Sequence, residues 1–210
     1  MTSKKRLILS YGILALLLAV LFAANLFWGS VSLTPGAVLA ALTGRGQDAL
    51  SVGIITQLRL PRAVMVVLLG AALSAAGYLL QTFFANPIAG PFVMGISSGA
   101  KLAVALVMVA FLNHGLLTSS LTLITAAFAG PISFVGIAVP HLVKQLLGSA
   151  KPLVVLPGCC LGGAAFCLLC DLIARSLFAP TELSISAVTA VFGAPVVIGL
   201  LIRRNREGAQ

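Results

Sequence analysis

Four carboxylates, Asp48, Asp171, Glu182 and Glu207, are all the acidic chemistry this 210-residue chain has. General acid–base and nucleophilic catalysis need titratable groups held in mutual reach. The sequence places no Ser/His/Asp or paired-carboxylate set together, and it has no GxxxxGK[ST] phosphate loop. An enzyme that hydrolyses ATP in the P-loop manner is therefore excluded, and catalysis of any kind is not expected. One ion pair follows from spacing: Asp171 and Arg175 are i, i+4 on a helix. Ionisable groups inside apolar segments are costly and usually partnered, so a structural pair is predicted, with Glu182 as a second possible partner. Arg59 and Arg62 flank a short RLPR word. A guanidinium grips a carboxylate with a rigid fork; the alternative is that these two arginines snorkel to headgroups. Lys101 has no partner nearby in sequence and is read as snorkelling, with an anionic ligand as the less favoured role.

No metal or cofactor is expected. Cys159, Cys160, Cys167 and Cys170 fall within about 100° of arc on one helix. The Cys167/Cys170 pair has CxxC spacing, but it lacks a second CxxC or a neighbouring histidine. Small sulfur side chains also pack well between helices beside Gly162, Gly163 and Ala164, and that reading is preferred. His114 and His141 lie at opposite ends of one expected span, too far apart to share an ion.

The elements that carry these residues are membrane spans. Hydrophobic residues make up 60% of the chain and charged residues 8%, with a mean hydropathy of +1.15; soluble domains are nearer half apolar and a quarter charged. Uncharged runs predict an all-α, polytopic membrane protein with about six spans, near 7–28, 62–84, 92–112, 117–139, 153–177 and 185–202. The first run is longer than a signal h-region and is read as a retained span. The net charge of +9 does not point to nucleic acid, because the basic residues punctuate the ends of apolar runs, as topology control requires. With both termini cytoplasmic, inner segments hold Lys4, Lys5, Arg6, Lys144, Lys151, Arg203, Arg204 and Arg206. Outer segments hold Arg45, Arg59, Arg62 and Arg175. Residues 29–58 form the longest outer segment; there Thr34 is placed to cap a short surface helix that starts with Pro35. No linker or low-complexity tract divides the chain, so a single membrane domain over 1–210 is expected.

Two stretches are hostile to a continuous helix. The first, NPIAGPFVMGISSGA at 86–100, contains Asn86, Pro87, Pro91, Gly95, Ser97, Ser98 and Gly99. The second, AGPISFVGIAVPH at 129–141, has Gly130-Pro131 inside the apolar run and Pro140-His141 at its expected end. Proline lacks an N–H and clashes with the preceding turn. Non-helical backbone at membrane depth survives only where protein or a water cavity satisfies it. Paired interruptions point to a transport pathway with broken helices near 86–100 and 129–141. A plain helix–helix turn is the alternative for the first.

Four words in order carry a resemblance: LRLPRAVMVVLLGAALSAAGYLLQ at 58–81, NPIAGPFVMGISSGA at 86–100, GPISFVGIAVPHLVK at 130–144, and LPGCCLGGAAFCLLCDLIARSLFAPTELSISAVTAVFGAPVVIGLLIRR at 156–204. Together they resemble the permease subunits of type II, FecCD-type ABC importers, which take up iron–siderophore complexes, haem and cobalamin. The resemblance implies a permease moving a metal chelate across the inner membrane. Its implied partners are a second permease copy, a separate ABC ATPase subunit and a periplasmic substrate-binding protein. It also implies that Arg59, Arg62 and Arg175 grip acidic residues on that binding protein. The chain departs from the pattern as well. It is shorter than the family's members, with family-like segments at 1–112 and 118–206 and an apparent internal deletion between them. The coupling segment that docks on the ATPase is missing, and the family's ELPVG-like word reads ELSIS, with Ser184 and Ser186 in place of Pro and Gly. A non-transporting relative that at most docks a binding protein is the second expectation.

Overall fold

In a computed structural model the described residues are 3–87, 89–90, 102, 106, 134–177 and 183–207. The regular elements among them are all helices. They are α1 Ser3–Phe27, α2 Pro35–Leu42, α3 Ala49–Phe83, α4 Val135–Leu147, α5 Pro152–Ser176 and α6 Ile185–Glu207. Helices α1, α3 and α5 are long and apolar enough to cross a membrane. At 25 residues, α1 is about 37 Å long, against a hydrocarbon layer of about 30 Å.

Local chemistry sets the ends. Thr34 accepts a bond from Ala37 N–H at 3.3 Å with Pro35 in the first turn, so α2 starts where the sequence indicates. Asp48 caps α3, accepting from the N–H groups of Leu50 and Ser51 and from the Ser51 hydroxyl. Those bonds favour the charged form and hold the Asp48 carboxyl below its usual range, the Ser51 hydroxyl contributing most. Lys151 precedes Pro152 at the start of α5. Helix α4 stops at Gly148, whose φ of +60° is the left-handed conformation glycine adopts freely.

Two expectations are corrected here. The second span was read from residue 62, with an outer segment reaching Leu58. The helix instead begins at Ala49 and runs 35 residues, so Arg59 and Arg62 lie inside it. It passes through a π turn at Ile54–Arg59, where Leu60 N–H donates to Ile55 O, five residues back. Pro61 follows with no N–H to donate, and a wider turn accommodates it. Pro140-His141 was read as the end of a span. Pro140 lies inside α4, and the helix continues to Leu147. The helix survives because a neighbour supplies the missing donor: Gln81 Nε2 donates to Gly136 O, the carbonyl four residues before Pro140, at 3.1 Å. Thirteen residues, about 20 Å, leave α4 too short to span the hydrocarbon layer alone.

The bundle closes on small residues. A Cβ at Gly70 would overlap the Gly163 carbonyl, and one at Gly77 would overlap Gly136, so α3 meets α5 and α4 backbone to backbone. Gly158 and Gly162, spaced i, i+4 on α5, receive Val143 and Leu147 of α4. Cys159, Cys167 and Cys170 are buried in the same helix, Cys167 beside Gly70, with no disulfide. At one end, Arg6 and Ser10 of α1 donate to Gln145 O and Leu146 O at the C-terminus of α4, and Tyr11 Oη donates to Val154 O. Gly12 has nothing within 4 Å of a built Cβ. Gly77→Ala is expected to lower stability by about 1–3 kcal/mol or more through overpacking, while Gly12→Ala is neutral or raises it by up to about 1 kcal/mol. Thermal unfolding of both variants in detergent tests the opposite signs.

Candidate functional site

At the other end of the bundle, the C-termini of α1 and α5 meet α3 just past its π turn. The last carbonyls of a helix have no intrahelical donor, and those of α1 are met by an arginine. Arg59 Nη1 donates to Leu26 O at 2.8 Å and Phe27 O at 3.0 Å, and Nη2 donates to Val31 O. The cation also sits favourably at the negative end of the helix dipole. Asn25, fully buried, ties α1 to α5: its Nδ2 donates to Leu21 O at 2.8 Å and Leu168 O at 3.1 Å. Its Oδ1 accepts from Arg175 Nη2, which also reaches Asn25 O at 3.3 Å.

Asp171, with no exposed surface, stands between two guanidiniums. Arg62 Nε and Nη2 both lie 3.0 Å from Asp171 Oδ1. Arg175 Nε lies 3.0 Å from Oδ2, a charge contact without the alignment of a hydrogen bond. The pair expected from i, i+4 spacing is thus one half of a triad that Arg62 completes from α3. Arg59 joins through Gly29: a Cβ there would stand 3.2 Å from Arg59 Nε and Nη2 and from Arg175 Nη1. Among the described residues the cluster holds three cations and one anion, and carbonyl and amide oxygens also face the guanidiniums.

This geometry divides the three arginines. The Arg59 and Arg175 residues are 4% and 3% exposed and face the chain's own oxygens. The Arg62 side chain keeps 19% of its surface open. Of the three arginines, Arg62 has the most open side chain. Asn25 was missed by the sequence reading, although a lone amide in a 22-residue apolar run was a usable signal. Gln81 was missed in the same way.

Of the broken-helix residues, Asn86 and Pro87 follow the end of α3. Ala85 has φ +49°, and Asn86 N–H donates to Gln81 O at 3.1 Å. Pro140 and His141 lie in α4, where His141 Nε2 is 2.8 Å from Gln145 Nε2. Pro91, Gly95, Ser97, Ser98, Gly99, Gly130 and Pro131 lie outside the described residues, as do Lys101, His114 and Glu182. Among the described residues, no group of three or more metal-ligating side chains occurs.

Asp171 is the one carboxylate of the cluster among the described residues, and removing it takes charge compensation from buried guanidiniums. Asp171→Asn is expected to cost about 3–5 kcal/mol, and Arg62→Ala less, because Arg175 still faces Asp171 and Arg62 is partly hydrated. Unfolding midpoints of the two variants in the same detergent check the order.

The comparisons match this architecture. The model of the FecCD transport family matches residues 16–129 and 113–203. The vitamin B12 import system permease protein BtuC of Escherichia coli, in strain K12 / DH10B among others, is 46% identical over 83 residues, which is 40% of this chain and 25% of the relative. The Shigella boydii serotype 18 protein of the same name gives the same figures. The aligned stretch thus spans about a quarter of the length of these relatives. A solved structure described as an inward-facing conformation of a metal-chelate type ABC transporter superposes with a TM-score of 0.65 at 21% identity, covering 96% of this chain and 99% of that one; at that identity the likeness is one of fold. With the family model matched along nearly the whole chain, onto a helical membrane bundle of the same fold, this multi-pass membrane protein belongs to the FecCD transport family.

Proposed function

We propose that the chain is a membrane-spanning permease subunit of an ABC importer for a metal chelate of the iron–siderophore, haem or cobalamin class. The observation that carries this is the match of the family model to both halves of the chain, with the 46% identical stretch shared with a vitamin B12 import permease in support. On this reading 1–210 is one permease domain in the inner membrane, with both termini cytoplasmic. Two copies form the path, a separate ABC ATPase hydrolyses ATP, and a periplasmic binding protein delivers the chelate. The permease supplies no catalytic group. Its gates respond to the ATPase because contacts differ between states.

A second reading is motivated by the coupling segment that the sequence lacks relative to the family pattern: a non-transporting relative that at most docks a binding protein. Co-purification with the ATPase subunit, followed by hydrolysis assays in vesicles with and without the binding protein, separates the two. Stable association and stimulated hydrolysis are expected. A folded, inserted chain that captures binding protein but no ATPase would leave the second reading standing.

Either way, docking at this end of the bundle falls to Arg62. Charges at the rim of an interface mainly set on-rate and salt dependence. Arg62→Ala is expected to slow binding-protein capture several-fold and flatten its dependence on ionic strength. Arg59→Ala acts instead on thermal stability, by uncapping α1. Surface-plasmon capture kinetics at two salt concentrations, alongside melting curves, check this division.

A further inference from the structure

Pro140 leaves Gly136 O without its helical donor, and a single side chain from another helix fills the place. Gln81 of α3 is buried, and its Nε2 lies 3.1 Å from Gly136 O and 3.4 Å from Ile137 O. Both neighbours only accept, so the amide must present its N–H groups to them. One turn earlier, Gly77 meets Gly136 with no room for a Cβ. At that point the two helices touch backbone to backbone. The far end of α4 is tethered separately: Arg6 and Ser10 hold its last carbonyls, and Lys144 Nζ sits 4.9 Å over the Tyr78 ring.

We infer that Gln81 is a positioning residue: its carboxamide replaces the missing Pro140 N–H and sets the angle of α4 across α3. Release of Gly136 O lets the N-terminal half of α4 pivot about the C-terminal end that α1 holds. A side-chain hydrogen bond between membrane helices is weak enough to break in a working cycle and strong enough to bias one position. The use of this pivot as a gate rests on the permease reading; the pivot itself does not.

The test is a distance measurement in lipid vesicles without ATPase or binding protein. Spin labels are carried by Phe83→Cys and Leu142→Cys in a Cys160→Ala background; both labelled positions are exposed, and the other three cysteines are buried. The unsubstituted Gln81 protein should give one narrow distance. Gln81→Leu should shift the ratio of two positions by about threefold to tenfold toward a second distance. Gln81→Glu should recover the first distance at low pH, where the protonated carboxyl donates, and lose it as the carboxyl ionises. The Gln81 protein is run at each pH as the control for effects of pH elsewhere in the chain. A folded leucine variant that keeps the first distance overturns the inference, as does a glutamate variant with no pH dependence beyond that of the Gln81 protein. If the leucine variant does not fold, the glutamate variant decides alone. Failure to bind ATPase with the pivot intact would sink only the permease reading.

Discussion

Hydrocarbon offers no hydrogen bonds, so every backbone group that a helix cannot satisfy must find a partner in the protein. The bundle is organised around that requirement. Arg59 serves the last carbonyls of α1, Arg6 and Ser10 those of α4, and Gln81 the carbonyl exposed by Pro140. Each of these side chains comes from a different helix than the group it serves, so each satisfied carbonyl is also a tertiary contact. Polar residues that look like interruptions of the apolar runs are what fastens the runs together.

Close approach makes those bonds reachable. A side chain as short as Gln81 spans two helices only because Gly77 and Gly136 bring the backbones together. Gly70 and Gly163 do the same for α3 and α5, and in doing so they align Arg62 of α3 with Asp171 of α5. With lipid as apolar as leucine, packing of small residues is a main source of attraction between helices. In this protein it also sets the geometry of the charge cluster.

That cluster serves structure first. Two of its arginines are spent on the chain's own oxygens, and a fully buried Asp171 needs them as much as they need it. Arg62 keeps the most open side chain of the three. Neighbouring arginines of one RLPR word thus have different surroundings, Arg59 capping α1 and Arg62 pairing with Asp171.

Much of this was legible in the sequence. The apolar runs located α1, α3, α5 and α6, because span length is imposed by bilayer thickness. Thr34-Pro35 marked the start of α2, because a cap is a local bond. The i, i+4 spacing of Asp171 and Arg175 brought them to one face, because the helix repeat is fixed. Three features depended on partners 28 or more residues away in the chain. Pro140 reads as a stop until Gln81 is placed against Gly136. Arg59 reads as a surface charge until α1 ends beneath it. Arg62 has no carboxylate within reach along its own helix; Asp171 arrives only when Gly70 and Gly163 close the gap between α3 and α5. Sequence determined which groups would be short of a partner, since helix geometry and the bilayer decide that locally. Tertiary structure decided who the partner would be, since that depends on which helices can touch.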